Sequence, residues 1–228
     1  MNQIADEALE PKVEVEATSE VLATRKDLQL SRRLFHMSNG FVIATAYAII
    51  FTHQQIVYFC GTVACLMYLF DQVRIAYPER IKSFERLSKY LLRAEEQLKE
   101  SAAIPYIMAN LLTIITFPKL IAISAIYTLA FADPMSAIVG IRFGKNRIVK
   151  EKSIEGSLAF FVTSFLFISL VFTVGGASSW QVWLMAFSVS FLTTCFEMIP
   201  LKLDDNLTIP LFTAFLLWIF CAILGISA

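Results

Sequence analysis

The chain has 228 residues, 57% of them hydrophobic, and its 19 basic and 19 acidic side chains cancel to a formal net charge of zero. A mean hydropathy of +0.65 lies well above a soluble globular composition, so the apolar surplus has to face lipid. No nucleic-acid partner is expected, and the zero net charge conceals a very uneven distribution along the chain.

Residues 1–24 set six acids against Lys12, which predicts a disordered, solvated acidic tail over 1–30. No cleavable signal peptide is expected, because the first apolar run follows about thirty polar residues and continues into a hairpin. Hydrocarbon about 30 Å thick needs roughly 20 helical residues. Apolar runs at 35–52, 55–71, 103–117, 119–141, 157–174, 181–199 and 207–226 therefore predict an all-α, polytopic bundle of about seven transmembrane helices. Its connections at Thr52–Gln55, Phe117–Lys119 and Val174–Trp180 are minimal, the last turning at Gly175-Gly176. Trp180, Trp183 and Trp218 fall near span ends, in keeping with an interfacial aromatic belt.

Of the 19 Lys and Arg residues, 18 lie in the N-terminal arm, in 71–100, in 142–155 or at Lys202; Lys119 alone falls on the other side. The positive-inside bias then puts the N-terminus and every long polar loop in the cytosol, and an odd number of spans leaves the C-terminus outside. Cys60, Cys65, Cys195 and Cys221 lie in apolar runs without metal-ligand spacing and read as small buried hydrophobes.

Residues 74–100 alternate charge with apolar positions at helical spacing, among them Ile81, Phe84, Leu87, Leu91 and Leu98. This predicts a cytosolic amphipathic helix, acting as a connector packed on the bundle or as a headgroup contact.

Asp133 followed by Pro134 reads as an N-cap and first-turn pair that restarts a helix inside the fourth span. An ionisable residue at membrane depth is costly and functional by default. Ala132, Ser136, Gly140 and Gly144 recur every four residues, a stripe that admits either another helix backbone or a phosphate. Arg142, Lys145, Arg147, Lys150 and Lys152 follow, leading into Ser153, Gly156 and Ser157 at the start of the fifth span. A helix N-terminus beside basic residues is a phosphate-binding arrangement, although basic residues there also serve as a topology signal.

Glu197 closes the sixth span, and Asp204-Asp205-Asn206-Leu207-Thr208 opens the seventh. Asp205 or Asn206 reads as a helix cap, or the group supplies hard oxygen ligands of the kind Mg2+ or Ca2+ takes. His36 sits at the cytosolic edge of the first span, and His53 in an outer turn carries no role. Gly140-Ile141-Arg142-Phe143-Gly144-Lys145 looks like a Walker A loop but is one residue short and lacks the following Ser or Thr. Asn206-Leu207-Thr208 is a glycosylation sequon that the charge pattern places in the cytosol.

Arg32 with His36, Asp71 with Arg74, Asp133 with Ala137 and then Ile141, Arg142, Gly144 and Lys145, Lys152-Ser153 with Gly156-Ser157, and Glu197 with the Asp204–Pro210 stretch occur in this order. Together they resemble the CTP-dependent lipid-alcohol kinases, the family of dolichol kinase, phytol kinase and fungal-type diacylglycerol kinase. The Asp204-Asp205-Asn206 form is more similar to the phytol and diacylglycerol kinase branches, while Pro134 departs from the small residue expected after the motif Asp.

The resemblance implies transfer of the γ-phosphate of CTP to a membrane lipid hydroxyl, with Mg2+ or Ca2+ as cofactor. Asp133, Asp205 and Lys152 would be catalytic. Arg142, Gly144, Lys145, Lys152, Ser153, Gly156 and Ser157 would bind nucleotide phosphates, and Asp133, Asp204, Asp205 and Asn206 would hold the metal. Arg32, His36, Asp71, Arg74, Glu197 and Thr208 are further candidates. The expected membrane is the endoplasmic reticulum in a eukaryote or the plasma membrane in a bacterium.

Two alternatives stand beside this reading. CTP:phosphatidate cytidylyltransferases typically carry a Pro-Lys-Lys-Thr-x-Glu-Gly stretch; here Glu151-Lys152-Ser153-Ile154-Glu155-Gly156 keeps the Glu-Gly without the Pro and Thr. A transporter or membrane scaffold would use Asp133 as a coupling site, but the nearly uncharged outer turns argue against it.

Overall fold

The computed structural model describes residues 17–77, 103–149, 152–177, 179–200 and 203–227. In chain order the elements are α1 (Ala17–Ile49), α2 (His53–Ala76), α3 (Ala103–Thr116), α4 (Lys119–Tyr127), a π-helical turn (Thr128–Ala132), α5 (Asp133–Phe143), β1 (Arg147–Val149), β2 (Lys152–Ser153), α6 (Ile154–Val174), α7 (Trp180–Glu197) and α8 (Asp205–Leu224). Each of the seven predicted apolar runs falls on a helix. Among the described residues, α2, the Lys119–Phe143 run, α6 and α8 are long and apolar enough to cross a membrane, while α3 is apolar but shorter.

Helix α1 begins at Ala17, inside the stretch expected to be solvated tail; residues 1–16 lie outside the described residues. Helix α2 runs on to Ala76, past the end expected at residue 71. The amphipathic helix expected over 74–100 lies outside the described residues beyond Tyr77.

Local chemistry sets the turns. Thr52 and Gln55 form a capping box at the start of α2: Gln55 N–H donates to Thr52 Oγ1 at 3.3 Å, and Thr52 N–H donates to Gln55 Oε1 at 2.9 Å. Pro118 stands at the N-cap of α4, where no amide hydrogen is needed. Gly176, with φ of 92°, makes the α6–α7 turn that an L side chain resists.

The core has two apolar halves that share α4. Tyr47, Ile56, Cys60, Ile114, Ala122 and Ile126 join α1, α2, α3 and α4. Ile121, Ile168, Phe172, Met185, Val189 and Leu217 join α4, α6, α7 and α8. Large apolar side chains cover the outside: Ile49 and Val174 are each 79% exposed and Ile223 is 72% exposed. The buried hydroxyls of Thr113, Thr128, Thr194 and Thr213 donate to the carbonyl four residues earlier on their own helices, so they ask nothing of their surroundings. All four cysteines are free; Cys60 and Cys221 are buried as expected, whereas Cys65 and Cys195 face outward.

The expected break at Asp133 is absent. Asp133 has helical φ and ψ of −63° and −52°, no side-chain cap precedes α5, and the helix continues through it. Proline lacks an amide hydrogen and crowds the carbonyl one turn back. The π-helical turn immediately before Asp133 widens the backbone there, so the chain absorbs Pro134 without ending the helix. The all-α expectation also needs one small correction: β1 and β2 form a two-stranded antiparallel hairpin, with Arg147 opposite Ser153 and Val149 opposite Lys152.

Candidate active site

The hairpin exists because α5 and α6 meet backbone to backbone. A methyl at Gly156 would stand 2.7 Å from the Ser136 carbonyl oxygen and 3.3 Å from the Gly140 Cα. One at Gly144 would overlap the Gly140 carbonyl and lie 2.7 Å from Ser153 Oγ. The small-residue stripe is thus filled by the start of α6, the helix-packing use of such a stripe. Ser153 is the N-cap of α6, buried, with its Oγ accepting the Gly156 N–H at 3.1 Å.

Glu155 braces the turn between α5 and β1. Its Oε1 accepts the backbone N–H groups of Lys145 at 3.2 Å and Asn146 at 3.4 Å. Arg142, Phe143, Gly144, Lys145 and Glu155 line an open surface pocket, with the Arg142 guanidinium 5.6 Å from the Phe143 ring centroid. Both basic side chains are exposed there.

Lys152, on the hairpin, bridges two other helices. Its Nζ lies 2.8 Å from Glu197 Oε1 at the end of α7 and 3.6 Å from Asp205 Oδ2 at the start of α8. It also donates to the Glu197 backbone carbonyl. Glu197 is buried at 6% exposure, and its second oxygen, Oε2, is buried without a hydrogen-bond partner. Partly buried Asp133 feels the charges of Asp205, Glu197, Lys152 and Arg33. Five separated stretches of chain therefore bring charge to one place.

The remaining candidates divide. Asp204 is the N-cap of α8, its Oδ1 accepting the Asn206 N–H at 2.9 Å, so the cap is Asp204 rather than Asp205 or Asn206. Thr208 Oγ1 donates to the Asp204 carbonyl at 3.3 Å and belongs to the same first turn. Asp71 and Arg74 pair with each other on α2 at 3.0 Å, both buried. The His36 ring packs on Tyr106 with centroids 4.1 Å apart, and Tyr106 donates its hydroxyl hydrogen to the His36 carbonyl at 3.3 Å. Ser157 Oγ, one turn into α6, is buried without a hydrogen-bond partner. The side chains of Arg32 and Arg147 lie outside those described, as does Lys150.

Sequence reasoning passed over Arg33, whose charge reaches Asp133, in favour of Arg32. It also missed the bracing role of Glu155. An Arg pair shows no helix phase by itself, and Glu155, the second residue of α6, meets its partners only through the fold of the preceding turn.

Among the described residues no set of three or more His, Cys, Asp or Glu side chains is gathered closely enough to hold a metal ion alone. The donor chemistry still fits a hard cation. Glu197 Oε2 has no hydrogen-bond partner, Asp205 is nearby, and Mg2+ is ordinarily held by one or two carboxylates together with substrate phosphates.

The chain is 30% identical to probable phytol kinase 3, chloroplastic, of Glycine max over 201 residues, covering 81% of this chain and 61% of that protein. It is 26% identical to CTP-dependent diacylglycerol kinase 1 of Schizosaccharomyces pombe over 206 residues, covering 85% and 94%. The chain is related to the lipid-alcohol kinases. Dolichol kinase sec59 of the same yeast matches at 38% over a shorter stretch of 85 residues, 37% of this chain and 16% of that protein. No protein-family model and no solved structure matches the chain.

Proposed function

We propose that the chain transfers the γ-phosphate of CTP to the hydroxyl of a membrane lipid alcohol such as diacylglycerol, phytol or a polyprenol. The observation that carries this reading is Lys152 bridging Glu197 and Asp205 beside Asp133, in a chain related to kinases of such alcohols. In this reading all seven helical runs span the membrane, the N-terminus is cytosolic, and the charged site lies at the cytosolic face.

Phosphoryl transfer depends chiefly on positioning and charge neutralisation. Lys152, Arg142 and Lys145 supply positive charge to the CTP phosphates. Gly144, Ser153, Gly156 and Ser157 form the close-packed turn that brings backbone and Lys152 to them. Glu197 and Asp205 would hold the divalent cation, with the charge of Asp133 beside them, and the cation would neutralise phosphate charge. Asp204 and Asn206 shape the first turn of α8 and deliver Asp205. One acidic side chain takes the hydroxyl proton as the new oxygen–phosphorus bond forms and CDP leaves. The lipid enters sideways from the bilayer and presents its hydroxyl at the interface.

The test is turnover by purified protein given CTP or ATP with Mg2+ and a panel of diacylglycerol, phytol and polyprenols. The expected products are a lipid phosphate and CDP from CTP. Inactivity across the whole panel overturns the proposal, and release of pyrophosphate with a CDP-lipid would assign the cytidylyltransferase reaction instead.

A further inference from the structure

We infer that Lys152 is a placeholder cation: without nucleotide it occupies the divalent-metal position between Glu197 and Asp205, and binding of the nucleotide phosphates draws it off and opens that position. The inference rests on the phosphoryl-transfer reading and adds how the same site is regulated. Three observations carry it. The Lys152 ammonium is bound on the acid side by Glu197 Oε1 at 2.8 Å, by Asp205 Oδ2 at 3.6 Å and by the Glu197 carbonyl. Glu197 Oε2 is buried and lacks a hydrogen-bond partner, so the lysine leaves one strong acceptor of the site unused. Glycine contacts at Gly144 and Gly156 hold the hairpin backbone against α5, so a change in the Lys152 position has to come from its flexible stem.

Glu197 is buried, and a buried carboxylate beside a second acid, half-exposed Asp205, cannot be left without a counter-charge. Before the reactants bind, Lys152 supplies that charge. With two carboxylates and no third close by, the protein alone is a poor Mg2+ site, and the phosphates have to complete it. Phosphates offer the ammonium an alternative partner on the side of Arg142 and Lys145, and the cation then takes its place. Metal and nucleotide should therefore bind cooperatively, with bare metal displacing the ammonium only at high concentration.

The probe is Mn2+, read by loss of the free-ion electron paramagnetic resonance signal, with purified full-length protein and no nucleotide. Wild type should bind Mn2+ weakly. Lys152→Gln should bind it at least about tenfold more tightly, since one competing charge is gone. Adding Glu197→Gln to that variant should abolish the gain.

Wild-type protein supplies a second readout that survives a folding defect in the variants. Millimolar Mn2+ should raise acylation of Lys152 by an amine-reactive ester several-fold, measured by peptide mass spectrometry, because the metal expels the ammonium. Unchanged Mn2+ affinity in Lys152→Gln, or unchanged labelling of Lys152 in wild type, overturns the inference. If CTP-dependent phosphorylation is present while these results fail, only the placeholder role falls; if metal binding behaves as expected without any phosphoryl transfer, only the kinase reading falls.

Discussion

The pair on α2 and the cluster around Lys152 are both built from acids and bases, yet they are opposite in construction. Asp71 and Arg74 are three residues apart on one helix, both buried, with their charges facing each other at 3.0 Å. Lys152 reaches across to α7 and α8, retains 26% side-chain exposure, and leaves Glu197 Oε2 unengaged. A local pair can form as soon as its helix forms. A cluster assembled from distant stretches, with acceptors to spare, has to be held in place by the whole fold and can accept another charged partner. The first arrangement suits a buried structural neutralisation and the second suits a site.

That contrast can be broken by mutation, beginning where the expected effect is greatest. Chelation of divalent cations should abolish turnover, and excess Mg2+ should restore it. Lys152→Ala should lower kcat by about 10²–10³-fold in a folded protein, the usual loss when a preorganised charge-stabilising donor is removed. Asp133→Asn and Asp205→Asn should each abolish most turnover while the protein still inserts, as judged by size-exclusion chromatography in detergent. Full activity in both would end the assignment of the acidic site.

Arg74→Met should behave in the reverse way. Removing one partner of a buried pair costs about 3–5 kcal/mol, so thermal stability should drop markedly while kcat of the folded fraction changes by only a few-fold. A large fall in kcat with unchanged stability would move the α2 pair into the active machinery. Gly156→Ala should fall between these cases. Its methyl meets the Ser136 carbonyl at 2.7 Å, so α5 and α6 must separate, at about 1–3 kcal/mol, and Lys152 moves with the hairpin. Ser153→Ala is the mildest, about 1 kcal/mol for the lost α6 cap with most turnover retained.

The helices were legible because lipid demands long apolar runs, and the turns because Pro118, Gly175 and Gly176 punctuate them. Hydropathy also marked Asp133 and Glu197, since charge inside or at the end of such a run stands out. Its reading of Asp133 as a helix break failed for a definite reason. A Pro after an Asp looks the same in sequence whether the helix ends or widens into a π-turn, and only packing against α1, α6 and α8 decides which.

Which charges meet was less legible still. Glu197 and Lys152 are 45 residues apart, and their 2.8 Å contact depends on the rotational phase of α7 and on a two-stranded hairpin too short to carry a period-two pattern. The choice between Arg32 and Arg33, and between Asp204 and Asp205 as the cap, turned on the same question of phase. Asp204, beside the expected Asp205, took the cap, and Arg33 is the arginine whose charge reaches Asp133.

Transfer of label from CTP to lipid tests the central claim most directly. With CTP carrying ³²P at either the γ or the α position, wild-type protein and a lipid-alcohol acceptor should place the γ label in the lipid product and leave the α label in CDP, and Lys152→Ala should lose nearly all of the transfer. Lipid product labelled from the α position, or γ transfer undiminished in Lys152→Ala, would contradict the account.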